Sequence, residues 1–270
     1  MADLTEQTGY VFRDRHPERD EVYAFYDYES AAARRLDCFH GGVPYGPHPR
    51  ERFDLFIAPE RAAPLVVFFH GGYFQSLDRD RFSFIGAQLV KAGFTVAVPS
   101  YPLCPQVSLD QVLDATSRAL PRVFDHLEAL GRRPRHWSCA GHSAGGHIAA
   151  WQATHPQTGV TAPAACLAIS GLFDLAPLRK TTLNASLELS ADDASKLSVP
   201  AVSADGPRMI LAFGSDETPA FHQQTNTYFS KITETGGRVE RARISSKNHY
   251  TILSEFTEDN SILTALLQSS

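Results

Sequence analysis

Cys139-Ala140-Gly141-His142-Ser143-Ala144-Gly145-Gly146 is the stretch on which the reading of this chain turns. It sets a serine between two glycines, in Gly-x-Ser-x-Gly order, where the apolar run 137–140 passes into the helix-forming run 144–154. A strand that enters a helix this abruptly leaves no space for side chains on the flanking residues. Gly141 and Gly145 meet that demand, and the serine is held in strained backbone geometry. Its hydroxyl then projects clear of the packing, at the carboxyl end of the strand, where a nucleophile would stand.

Upstream, Leu65-Val66-Val67-Phe68-Phe69 is apolar at every position, as a parallel strand buried on both faces requires. It ends in His70-Gly71-Gly72-Tyr73-Phe74. An ester or amide under attack develops negative charge on its carbonyl oxygen, and backbone N–H groups aimed at that oxygen stabilise it. The expected donors are the amides of Gly71 and Gly72, whose lack of side chain permits close approach, and of Ala144, the residue after the nucleophile.

A serine of this kind needs a base, and the base a carboxylate, in the chain order serine, acid, histidine. After the strand-like run 209–213 comes Gly214-Ser215-Asp216-Glu217-Thr218-Pro219, with two adjacent acids. After the last strand-like run, 238–244, comes Ser245-Ser246-Lys247-Asn248-His249-Tyr250, so His249 is the base by position. His142, His147 and His222 compete less well and read as packing or surface groups. Asp216 and Glu217 both stay open at this point, since only one of two neighbouring side chains can meet the imidazole. Tyr73, Phe74, Phe173 and Tyr250 are the expected aromatic lining of a substrate pocket.

Strand-like and helix-like runs alternate along the chain. Helices are expected over 79–92, 108–130 (with a break or kink at Pro121), 144–154, 221–236 and 261–268, and strands over 37–44, 52–57, 65–69, 94–99, 137–140, 164–169, 209–213 and 238–244. Right-handed crossovers between such strands give an α/β architecture: a mainly parallel central sheet with helices on both faces and ligands at the carboxyl ends of the strands. Residues 1–36 form an N-terminal helical segment rich in tyrosine and phenylalanine. Residues 171–202 are long, polar and outside the alternation, which suggests a small cap or lid within a single domain of 270 residues. Asp174 reads as a helix cap there.

Composition narrows the function classes. A net charge of −5, with both signs spread along the chain, argues against a nucleic-acid binder. The longest apolar run, 62–69, is too short for a bilayer span, and the polar start lacks the form of a signal peptide, so a cytoplasmic location is expected. Cys38, Cys104, Cys139 and Cys166 have no disulfide or zinc spacing, and the eleven histidines show no metal motif, so neither metal nor cofactor is expected.

His70-Gly71-Gly72-Tyr73 with Gly141-His142-Ser143-Ala144-Gly145-Gly146-His147 resembles the arylformamidase (kynurenine formamidase) branch of the α/β-hydrolases, close to the hormone-sensitive-lipase-like esterases. Tyr45-Gly46 with Asp54-Leu55-Phe56, the run Ser170 to Leu178, and Glu217-Thr218-Pro219-Ala220-Phe221-His222-Gln223-Gln224 resemble the same branch. The likeness spans about residues 40–255 and implies the α/β-hydrolase fold. It favours Glu217 as the acid, because the family's acid directly precedes the small residue and proline matched by Thr218-Pro219. One departure is Phe74, where the family frequently has tryptophan. The implied reaction is hydrolysis of N-formyl-L-kynurenine in tryptophan breakdown, on a small, aromatic acyl substrate. A carboxylesterase for small acyl esters and a non-catalytic ligand-binding module are the competing readings, and a homodimer stays open.

Overall fold

The computed structural model describes residues 4–269; residues 1–3, the start of the expected N-terminal segment, and residue 270 lie outside the described residues. Strands β1 (Phe39–Pro44), β2 (Arg52–Phe56), β3 (Leu65–Phe69), β4 (Thr95–Pro99), β5 (Trp137–His142), β6 (Ala165–Ile169), β7 (Arg208–Gly214) and β8 (Val239–Ile244) build one sheet. Their order across it is β1-β2-β4-β3-β5-β6-β7-β8. β1 and β2 pair antiparallel with each other and β2 antiparallel with β4, while the pairings from β4 through β8 are parallel. The carboxyl ends of β3, β5, β6, β7 and β8 therefore stand in a row along one edge.

Helices α1 (Leu4–Tyr10), α2 (Arg19–Ala33), α3 (Ser83–Lys91), α4 (Leu109–Ala129), α5 (Ala144–Thr154), α6 (Asn184–Leu187), α7 (Ala191–Leu197), α8 (Pro219–Glu234) and α9 (Ile262–Gln268) complete the chain. The strand period of two divides the core between the sheet's faces. Leu65, Val67 and Phe69 point to the layer of α4, α5 and α8, and Val66 and Phe68 to that of α2, α3 and α9. All five residues of β3 are fully buried, as its unbroken apolar run requires.

Local differences from the sequence expectations have visible causes. The helix expected over 79–92 opens with a 3₁₀ turn, Arg79–Phe82, where Arg79 reaches back to pair with the buried Asp54 of β2 at 3.0 Å. α4 runs through Pro121 without ending; the box between Ser108 and Gln111 caps its start, and its long apolar face is packed on the sheet. The stretch 171–202 holds a 3₁₀ turn, Ala176–Lys180, together with α6 and α7. Asp174 Oδ1 accepts the Ala176 N–H there at 2.9 Å. α1 and α2 lie within the expected N-terminal helical segment. α1 bridges the stretch 171–202 and α8, with Gln7 bonded twice to Thr182 (3.0 and 2.8 Å) and Thr218 Oγ1 donating to the Gly9 carbonyl at 2.8 Å. No helix among the described residues is long and apolar enough to cross a membrane, and all four cysteines are free.

Candidate active site

Ser143 lies between β5 and α5 with φ 58° and ψ −120°, backbone angles that a residue with a side chain rarely adopts and that cost of order 1–3 kcal/mol. The glycines around it are sterically obligatory. A Cβ on Gly141 would sit 2.0 Å from the Gly145 carbonyl oxygen, and one on Gly145 would sit 2.0 Å from that of Phe69. The strain aims the Ser143 hydroxyl at the loop after β8, where its Oγ lies 3.0 Å from His249 Nε2. On the far side of the imidazole, Nδ1 lies 3.0 Å from Glu217 Oε2. All three side chains are buried.

Glu217 is held from its other oxygen. Oε1 accepts the Ser170 hydroxyl at 2.6 Å and the Gly214 N–H at 2.7 Å. Gly214 must be glycine for the loops after β7 and β8 to close together, since a Cβ there would meet the Lys247 carbonyl oxygen at 2.1 Å. Asp216, the alternative acid, points to solvent and bonds the neighbouring Ser215 hydroxyl at 2.6 Å. Ser170 was not singled out as a site residue in the sequence. Its position was readable, because β6 runs between the strand that ends at the serine and the one that ends at the acid, so its terminal residue must stand beside the carboxylate.

The loop after β3 brings Gly71 against the nucleophile. A Cβ on Gly71 would lie 2.9 Å from the His142 carbonyl oxygen and 3.2 Å from Ser143 Cβ. Gly72 has φ +113°, a glycine conformation. The amides of Gly71, Gly72 and Ala144 donate to no acceptor among the described residues, and Ala144 opens α5, whose N-terminal dipole favours negative charge at that point. Behind the loop, His70 is fully buried and stacked between Tyr101 and Phe82, with ring centroids at 4.3 and 5.9 Å. Burial pushes its pKa down to about 4, so the ring packs there as a neutral group.

Ser143 and His249 open onto one cavity of about 360 Å³. Gly72, Tyr73, His142, Ser143, His249 and Tyr250 are on its floor and walls. Phe74 and Phe173, both expected in the lining, are corrected: they belong to the core. Phe74 has φ +60° and turns its ring edge-on to His147 at 5.4 Å, and Phe173 stacks on Tyr228 at 4.2 Å. His142 differs too, because it lines the cavity and lies 4.6 Å from the His249 ring. Its burial, followed by the nearby His249, drives its pKa well below the ordinary value.

The roof comes from the N-terminal segment. Tyr10, Val11, Phe12, Arg13, Asp14 and Arg19 line the cavity, whereas the stretch 171–202 lends it Leu183. Phe12 is buried edge-on against His249 and Tyr250, at 5.3 and 5.7 Å. Tyr23 and Tyr26 of the aromatic part of that segment line the cavity as well, whereas the polar residues before them carry no signal for Phe12. Among the described residues no group of three His, Cys, Asp or Glu side chains is placed to hold a metal.

Residues 66–253 match the model of the α/β hydrolase fold family. The chain belongs to that family and is a hydrolase. Within the family it is similar to kynurenine formamidases. It is 28% identical to that of Danio rerio over 242 residues, covering 83% of this chain and 79% of the relative. It is 27% identical to that of Drosophila melanogaster over 236 residues, covering 82% and 78%. Its fold also follows a crystal structure from a Silicibacter species put forward as a thioesterase, with a TM-score of 0.87 and 24% identity over 98% of this chain and 100% of that one.

Proposed function

We propose that this chain is a serine hydrolase working through an acyl-serine intermediate, and that its substrate is N-formyl-L-kynurenine or a related aryl formamide. The observation that carries the chemistry is the pair of 3.0 Å contacts linking Ser143, His249 and Glu217. The similarity to kynurenine formamidases carries the substrate.

Glu217 accepts the Nδ1 proton of His249 and leaves Nε2 as a lone-pair base toward Ser143 Oγ. Ser143 attacks the formyl carbon while Nε2 takes its proton. The oxyanion enters the ring of amides from Gly71, Gly72 and Ala144, which is worth most where water is excluded. The imidazolium then gives its proton to the departing aryl amine, and the formyl group stays on Ser143. Water attacks that ester by the reverse proton route and releases formate. A formyl group has no carbon chain, so a cavity of about 360 Å³ serves chiefly the leaving half, and its size and aromatic walls suit a small aromatic compound.

The test compares kcat/KM for N-formyl-L-kynurenine and 4-nitrophenyl acetate. A preference for the formamide is expected. Efficient ester cleavage with no detectable deformylation would overturn the substrate in favour of a carboxylesterase for small acyl esters. Ser143→Ala is expected to lower kcat by about 10⁴- to 10⁶-fold on either substrate and to abolish labelling by a fluorophosphonate probe. A wild-type chain inert to that probe would mark a non-catalytic binding module.

A further inference from the structure

We propose that the roof of the cavity is a carboxylate-recognition site, in which Arg19 binds an acid group on the leaving half of an aromatic acyl substrate. The inference rests on the serine-hydrolase reading of the same cavity.

Arg13, Asp14 and Arg19 are the roof's charged residues. The Arg19 side chain is largely buried, with 18% of its surface exposed. Its Nε and Nη2 donate to Asp20 Oδ1 at 3.0 and 2.6 Å, and Asp20 itself faces solvent. Nη1 is different: it is buried and makes no hydrogen bond of ordinary geometry among the described residues, the Tyr250 hydroxyl being the polar group that Arg19 interacts with beside it. A guanidinium presents its donors in a planar fork that matches a carboxylate, and a buried donor left without an acceptor is costly. An acid on the substrate supplies that acceptor. Arg13 adds a second positive charge, and both guanidinium charges act on the hydroxyl of Tyr250, the residue after His249. Arg19 thus stands on the cavity wall with Tyr250, the neighbour of the base, while Arg13 is exposed at the rim.

Placement selects the leaving half. A formyl or acetyl group bound to Ser143 has no arm that reaches the roof, so a charged arm must belong to the amine or phenol that departs. The walls between floor and roof are the rings of Phe12, Tyr23 and Tyr250, which suits an aromatic leaving group. Asp14 on the same rim disfavours a dianion and accepts an arm that also carries an ammonium, as an α-amino acid does.

Two matched pairs test the proposal on wild type, Arg19→Gln and Arg19→Lys. One pair is N-formyl-L-kynurenine with 2-formamidoacetophenone, which lacks the amino-acid arm; the other is 3-(4-acetoxyphenyl)propionate with 4-propylphenyl acetate. In each pair, Arg19→Gln is expected to lower kcat/KM for the carboxylate member about 10- to 100-fold more than for the neutral one, through KM, and Arg19→Lys to recover part of it. Equal losses on both members, or no loss on either, overturn the proposal. So does a wild-type chain that shows no preference for the carboxylate member of the pair it cleaves. If formamides are left intact and only the esters are cleaved, the deformylase reading fails while the ester pair still decides the role of Arg19.

Discussion

Below Ser143 the cavity is built from strand ends, and above it from one crossing segment of the N-terminus. The floor groups each follow a strand of the parallel part of the sheet: Gly71 and Gly72 after β3, Ser143 after β5, Ser170 after β6, Glu217 after β7 and His249 after β8. The roof, residues 10–19, has no sheet behind it. It is tied down by side-chain bonds, such as Gln224 to the Tyr10 hydroxyl (2.8 Å) and Asn248 to Glu18 (2.8 Å). Under the proposed function, bond-making falls to the half built on the sheet and choice of substrate to the half held by individual contacts. Changes in the floor should therefore act on kcat, and changes in the roof on KM.

The sharpest way to break this division is the adjacent acids. Glu217→Gln keeps the size of the side chain but removes the acceptor that holds the imidazole in the working tautomer, so kcat should fall about 10⁴-fold. Asp216→Asn, on a side chain turned to solvent, should stay within about twofold. Steady-state kinetics on the two variants decide it, and the opposite ranking would move the acid to Asp216 and undo the geometry of the floor.

A smaller effect concerns stability. His70 and His147 lie under the floor, and burial pushes both pKa values down to about 4. Each ring is neutral in the folded chain but protonates in the unfolded chain below about 6.5, so the unfolded state gains protons first and stability is lost as pH falls from 6.5 toward 4. At pH 5 the loss is roughly 2 kcal/mol for each ring relative to pH 7. Denaturant unfolding at the two pH values should show it, and His147→Gln should shrink the drop by about one ring's share. An undiminished drop would mean that His147 is not the neutral group its surroundings require.

The same division separates what could be read in the sequence from what could not. Ser143, the glycines around it, Gly71 and Gly72 are local necessities: each is a residue type demanded by a turn a few residues long. His249 was readable because the loop after the last strand has one histidine, and Glu217 from the resemblance around Thr218-Pro219. Phe74 and Phe173 show where such reasoning stops. Sequence places an aromatic near a strand end, but a backbone turn of φ +60° at Phe74 and a stacking partner 55 positions on for Phe173, Tyr228, decide which way the ring points. The roof is the extreme case. Phe12 and Arg19 lie more than a hundred residues from Ser143, and only the tertiary fold brings them over it.

Tyr73 joins the two halves, and its hydroxyl gives the smallest and most diagnostic test. It stands in the floor loop just after Gly72, with φ +50°, and donates to the Tyr10 carbonyl of the roof at 2.6 Å. Burial raises its pKa well above the ordinary value, so it remains a donor at any working pH. Tyr73→Phe keeps the ring and removes one bond, worth about 0.5–1.5 kcal/mol. If the roof selects and the floor reacts, KM should rise about two- to tenfold with kcat nearly constant, and amide hydrogen exchange should quicken over residues 10–19 and not in β5 or β7. A fall in kcat at constant KM would mean that the roof's position is felt at the Ser143–His249 contact itself, and the two halves would then have to be treated as one catalytic unit.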